Sequence, residues 1–266
     1  MNNCRLLSQA KAFFLSLTCP QSIRTNRSSG LLRLIACICM AIDHFGKMCF
    51  PNQPWMRLVG RLAFPLFAYG IAVGAVCTRD PIAYLKRIIL LALICQPLYA
   101  LGLNHETTAM YAVPFLKNPL LSTFTFYMKS WQKPSILLSL AAGLSLLICL
   151  RKKQWVMAFF VYVLCERFSG SLDYGIDGIR LMLIFYCLCE HPLLCFAASV
   201  SYILHWSLGY GYVFFGTEFS MRIFAVPAII LACLPVNIAF RLPKWFSYAF
   251  YPAHLVVLAL IAKLGS

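Results

Sequence analysis

The chain has 266 residues, of which 61% are hydrophobic and 12% charged, with a mean hydropathy of +0.78. An average soluble domain carries about 25% charged residues, so this composition excludes an ordinary soluble fold and points to an integral membrane protein. Net charge is +15, from 23 basic and 8 acidic residues. The basic residues fall mostly in joints between apolar runs, where they orient helices and meet anionic headgroups; nucleic acid is not an expected partner.

In chain order, residues 1–30 read as a polar cytoplasmic N-terminal tail. The short apolar stretch Ala12–Cys19 is diluted by Ser16 and Thr18 and has no small-x-small site after it, unlike a secretory signal. Residues 31–266 read as one integral membrane domain. Candidate spans are 31–50, 62–77, 88–103, 134–150, 155–168, 176–190, 192–215, 223–240 and 246–262. Several are shorter than the usual 17–25 residues. The expected fold is therefore all-α, a polytopic transmembrane helical bundle of about nine spans, with a range of 8–10. Segment 104–133 is aromatic and apolar but interrupted by Pro114, Lys117, Asn118 and Pro119, which break a straight helix; it reads as re-entrant or interfacial, or as a kinked span. Lys11, Arg24, Arg27 and Arg33 place the N-terminus in the cytoplasm, with Arg79, Lys86 and Arg87 on the same side after two spans. If 104–133 does not cross, Arg151–Lys153, Arg241 and Lys244 also face inward. Lys47, Arg57 and Arg61 run against the rule in either topology.

The first run holds the most informative residues. Asp43 and His44 lie two-thirds of the way along it, where ionisable groups are costly and usually face a protein interior or aqueous cavity. Neighbours on a helix point about 100° apart, so the two serve different partners. Asp43 can meet Lys47 one turn on, or fix a nearby Arg; His44 has the residue chemistry of a base near neutral pH. Arg57 and Arg61, four apart, share a helix face and can grip a carboxylate or phosphate. Lys86 and Arg87 open the third run and suit either a phosphate or simple positive-inside anchoring. Asp177 can cap the helix that follows and pair with Arg180. His254 is embedded near the start of the last run, whereas His191 and the His105–Glu106 pair read as joint residues and His205 has no evident partner. The 13 cysteines include Cys37, Cys39, Cys95, Cys187, Cys189 and Cys233 within apolar runs, where cysteine acts as a small hydrophobe. No CxxC…CxxC, HExxH or paired-His spacing indicates a metal site, and no nucleophile elbow is present.

Five blocks, in this order, resemble the TraX family: Met40-Ala41-Ile42-Asp43-His44-Phe45-Gly46; Arg57 through Ala68 (RLVGRLAFPLFA); Tyr84-Leu85-Lys86-Arg87 with Gln96-Pro97; Asp173-Tyr174-Gly175; and Tyr251-Pro252-Ala253-His254-Leu255. The resemblance covers about residues 31–262. It implies a polytopic protein of the bacterial inner membrane, linked to conjugation and to N-terminal acetylation of a pilin subunit. Asp43, His44, Arg57, Arg61, Pro65, Arg87, Asp173, Tyr174 and His254 match its characteristic positions.

The function so implied is a membrane acyltransferase using acetyl-CoA as donor, with no metal, and a pilin N-terminus or another envelope molecule as acceptor. His44, Asp43, His254 and Arg61 are the expected catalytic residues, and Arg57, Arg87 and Lys86 the expected donor contacts. The alternatives are a non-catalytic assembly component of a conjugation or pilus system, whose polar residues stabilise helix packing, and a small-molecule transporter.

Overall fold

The computed structural model describes residues 29–103, 108–233, 240 and 242–264. Most of the expected tail (1–28), with Lys11, Arg24 and Arg27, lies outside the described residues, as do His105, Glu106 and Arg241. The helices in chain order are α1 (Ser29–Cys49), α2 (Pro54–Gly60), α3 (Ala63–Cys77), α4 (Pro81–Gly102), α5 (Pro119–Ser130), α6 (Ile136–Arg151), α7 (Trp155–Arg167), α8 (Gly175–Cys187), α9 (Pro192–Trp206), α10 (Val226–Cys233) and α11 (Lys244–Leu264). A two-stranded antiparallel hairpin, β1 (Leu208–Phe214) and β2 (Thr217–Phe219), follows α9. Short 3-10 turns cover Thr108–Tyr111, Ser169–Ser171 and Met221–Ala225.

Local chemistry sets the helix starts. Pro81 and Pro119 occupy the first turns of α4 and α5, where a missing N–H costs nothing. Asp80 and Asn118 precede them and accept from the amides of Ala83 (2.9 Å) and Leu121 (3.1 Å), as N-caps do. The centre of the bundle is α3, packed by α6 and α8: Phe64, Tyr69, Leu144, Ile179 and Phe185 are fully buried, and Tyr69 meets Phe185 edge to face at 5.4 Å. Gly143 lies against Met182 and Gly74 against the Tyr84 ring; small residues at such crossings let membrane helices approach closely. α7 turns Trp155, Phe159, Phe160 and Leu164 outward, the expected dress of a lipid-facing helix.

Among the described residues, four stretches are long and apolar enough to cross a membrane: Ser29–Cys49, Pro54–Cys77, Pro81–Gly102 and Trp245–Ala262. The other helices are shorter; α7 and α8, at 13 residues each, reach only about 20 Å at 1.5 Å per residue against a hydrocarbon core of about 30 Å. Length alone thus supports four of the nine expected spans. The expected span 192–215 is corrected. Its helix stops at Trp206, and β1 follows at once, with Gly209 and Gly211 (φ +136° and +156°) inside it in backbone conformations that favour glycine. The expected span 223–240 is seen as a 3-10 turn and α10, with 234–239 outside the described residues.

Segment 104–133 contains α5, whose 12 residues reach about 18 Å. α5 is inside out: Leu120, Phe124 and Met128 are exposed while Ser122 and Ser130 are buried, so its apolar face looks away from the protein. Gln96, fully buried in α4, ties the joint after it. Its amide donates to the carbonyls of Ser130 (2.7 Å) and Lys133 (3.0 Å), and its oxygen accepts from Ser135 N (2.9 Å). Pro97 has no N–H for the carbonyl four residues earlier, that of Leu93, and the Tyr127 hydroxyl on α5 donates to it instead at 3.2 Å.

Candidate active site

A cavity of about 450 Å³ opens at one end of the bundle. α1 contributes Asp43, His44 and Lys47 from its last two turns, α4 contributes Tyr99 from its last turn, and Leu103 follows as its C-cap. Ala63 and Phe64 begin α3, Ile136 begins α6, Tyr174 and Gly175 begin α8, and Trp206 ends α9, all on the cavity wall. The chain therefore leaves α4 and enters α6 at the same end of the bundle. Ser169 and Gly170, which follow α7, also line the cavity. The opposite end is basic: Arg151 closes α6 and donates to the carbonyls of Ala75 and Thr78 at the end of α3, both at 2.8 Å.

Asp43 and His44 diverge as helix geometry requires. Asp43 Oδ2 accepts from Arg57 NH1 at 2.8 Å, and Arg61 NH2 stands 4.0 Å from Oδ1, ion pairing without a hydrogen bond. Arg57 and Arg61 reach Asp43 because Gly60 lets α2 lie directly against its side chain. His44 turns toward α11 instead. Its Nδ1 is 2.9 Å from His254 Nε2, across 210 residues of sequence, and both histidines are buried. His254 Nδ1 is 2.9 Å from the Phe250 carbonyl. A carbonyl only accepts, so Nδ1 of His254 carries the proton; in the neutral pair Nε2 of His254 then accepts from Nδ1 of His44, and the lone pair of His44 falls on Nε2. The rings of Phe246, Phe250 and His254 are stacked, with successive centroids 5.5 and 5.2 Å apart, and the His44 ring meets His254 edge to edge, its centroid 5.1 Å away and its plane within 16°.

The structure thus gathers His44, Asp43, Arg57 and Arg61 on one wall, with His254 directly behind His44. It does not bring Lys86 and Arg87 there. Arg87 donates to Tyr248 OH at 3.3 Å, and twelve residues separate it from Tyr99, about 18 Å along α4. Sequence reasoning missed Tyr99, Trp206 and Arg222. Arg222 lies over the Trp206 ring at 5.5 Å; these two are separated by the hairpin, and no spacing rule links them. Phe64 stacks on Tyr174 at 3.8 Å, making an aromatic floor. Asp173, in the joint before α8, also lines the cavity; burial raises its carboxyl pKa, with Arg61 and then Lys47 pulling the other way. Asp177 pairs with Arg180 at 3.2 Å as expected, and also accepts from Tyr202 OH at 2.7 Å, while Arg180 reaches Glu166 at 3.1 Å. Among the described residues no cluster of three or more metal-ligating side chains occurs.

The family described as TraX protein matches residues 28–262. A probable fimbrial assembly protein FimC, serogroup H1, of Dichelobacter nodosus is 33% identical over 73 residues, 26% of this chain and 30% of that relative. No solved structure matches the chain. With matched residues running through both the Asp43-His44 helix and the His254 helix, the chain belongs to the TraX family, a helical membrane protein.

Proposed function

We propose that this protein is a membrane-embedded acyltransferase that acetylates an amine or hydroxyl acceptor, a pilin N-terminus or another envelope molecule, from an acetyl thioester donor. The observation that carries the reading is the His44–His254 hydrogen bond at the cavity wall. It leaves His44 with its basic nitrogen on Nε2 and its orientation set from behind, the arrangement a general base needs. His44 takes the proton of the attacking amine or hydroxyl and returns it to the departing thiolate, so the imidazole ends as it began. Arg61, less tightly held by Asp43 than Arg57 is, faces the negative charge that develops on the acyl oxygen. Asp43 acts through the two arginines.

The cavity residues suit the acyl end of a thioester. Acetyl-CoA is the donor that the TraX resemblance implies; Lys86 and Arg87 are its proposed phosphate contacts only if it lies extended along α4, since they sit at the basic end. We further propose that the chain passes nine times through the bacterial inner membrane with its N-terminus in the cytoplasm. The alternation of helix ends between the basic face and the cavity face supports this count, and in the proposed orientation the cavity opens on the non-cytoplasmic side.

One observation favours a second reading, a non-catalytic assembly component: the Dichelobacter nodosus relative is named as a probable fimbrial assembly protein. Mass spectrometry of a co-produced pilin subunit and of envelope fractions, with and without this protein, decides between them. An acetyl increment that depends on the protein is expected. His44→Ala is expected to lower it about 10²–10⁴-fold, the usual worth of a positioned base. His254→Phe keeps a ring in the stack but removes the accepting nitrogen, and is expected to cost about 10–100-fold, as loss of a partner that orients histidine does. An inserted wild-type protein that leaves the increment absent, or His44→Ala equal to wild type, rejects the acyltransferase.

A further inference from the structure

The hairpin 207–220 is an outlier in this all-helical protein. It springs from Trp206 and returns to Arg222, both on the cavity wall and stacked on each other, and Ser220 N donates to the Ser207 carbonyl to close its base at 2.6 Å. It therefore stands at the level of the helix ends on the rim of the cavity.

Its tip breaks the chemistry such tips follow. Phe214 pairs with Thr217, so Phe215 and Gly216 are the two central residues of a tight turn, with φ of +50° and +77°. Turns with both central φ values positive are the ordinary hairpin choice, and their first central position favours Asn, Asp or Gly. A bulky side chain there is a true outlier. Phe215 pays that local strain without any packing in return, being 107% exposed. Tyr210, Val213 and Leu208 are also exposed, and Glu218 is the single charged residue of the hairpin.

We propose that the hairpin is an interfacial anchor, whose Phe215 tip inserts into the lipid headgroup layer and holds the cavity rim at the bilayer surface. An aromatic side chain in an unfavourable turn is retained where its transfer out of water offsets the strain, and aromatic residues collect at membrane interfaces. The two-stranded ribbon has open edges on both sides, so it cannot lie in the hydrocarbon core, where unpaired backbone groups have no partner; the headgroup layer hydrates those edges while admitting the ring. With neither lysine nor arginine on the hairpin, the attraction is apolar and indifferent to lipid charge. This inference does not depend on the acyltransferase reading.

The test uses the full chain in nanodiscs of phosphatidylethanolamine and phosphatidylglycerol, with the photoreactive p-benzoylphenylalanine at position 215. Illumination is expected to give lipid adducts by mass spectrometry. Adducts only to protein, or no adduct, overturn the anchor. Because the label is itself apolar, hydrogen exchange on the unlabelled protein gives a second measurement. Amides 212–217 are expected to exchange at least tenfold more slowly in nanodiscs than in Phe215→Asn, a variant better suited to the turn than the native residue. Equal exchange in the two proteins overturns the proposal without appeal to misfolding.

Discussion

Gly60 is the residue on which the charged wall of the cavity turns, and replacing it separates packing from electrostatics. A Cβ at position 60 meets the Asp43 side chain, including its Cβ and carboxyl carbon, so the clash cannot be relieved by a swing of a flexible end. Gly60→Ala must move α2 away from α1 or push the Asp43 carboxylate off Arg57. Three terms set the magnitude. Alanine gains up to about 1 kcal/mol over glycine in a helix, an upper figure since Gly60 ends α2. Overpacking costs about 1–3 kcal/mol. Disturbing the Asp43–Arg57 pair adds a cost between the ~0–1 kcal/mol of an exposed pair and the ~3–5 kcal/mol of a fully buried one; with Arg57 33% exposed and Asp43 16%, about 1–3 kcal/mol is a fair share. The sum is a net loss of about 1–6 kcal/mol. The same substitution in an Asp43→Gly background, where the Cβ, carboxyl carbon and Oδ1 are all gone, escapes these contacts, and its sign reverses to a gain of up to about 1 kcal/mol. Thermal unfolding of the four proteins in one detergent measures the cycle. If Gly60→Ala is neutral in the native background, or costs the same in both, the close contact between α2 and Asp43 is refuted.

Tyr127→Phe leaves the Leu93 carbonyl without its substitute donor and is expected to cost about 0.5–1.5 kcal/mol; Pro97→Ala restores the helical N–H, so the cost of Tyr127→Phe should shrink in that background, and unfolding midpoints check both. A reporter fused after Lys153 is expected to read cytoplasmic, because the basic end of α6 lies opposite the cavity; an external signal there rejects the nine-pass topology. Asp173 has a raised carboxyl pKa when folded, so the folded state binds the proton more tightly than the unfolded chain, and stability falls as pH rises from about 4, the unfolded value, through the folded one. Asp173→Asn removes this dependence, and the unfolding temperature of the variant should gain on wild type as pH rises; a constant or narrowing gap contradicts it.

What the sequence made legible follows from what one-dimensional patterns encode. Helix existence was readable from the apolar runs, with the start of 192–215 matching Pro192 and α1 and α11 within two residues at each end of the expected 31–50 and 246–262, whereas α4 starts at Pro81, seven residues before the expected 88, and Pro119, read as an interruption, opens α5. The hairpin was not readable in the same way: 192–215 is apolar throughout, and hydropathy cannot distinguish a helix from strands rich in Tyr, Val and Phe; only the glycines at 209, 211 and 216 signalled a change of backbone. At the site, the 100° divergence of Asp43 and His44 required two different partners, and Arg57 and Arg61 could be proposed for Asp43 from proximity in sequence. Joining His44 to His254 needed the family motifs, since 210 residues lie between them.

Depth explains why polar residues gather where they do. Lys47, Tyr99, Asp173 and Arg222 all sit near helix ends or in joints on the cavity face, where the cost of holding charge is least because water is nearest. His44 lies deeper than Asp173 in sequence terms, with more than a turn of α1 beyond it, and it meets the His254 ring, itself stacked on Phe250. A neutral histidine pair tolerates that environment better than an ion pair does, while Asp43, one residue away, takes the charged partners on the open side. Adjacent positions in one helix thus take different partners: one side chain fixes the cationic wall, and the other meets the His254 ring.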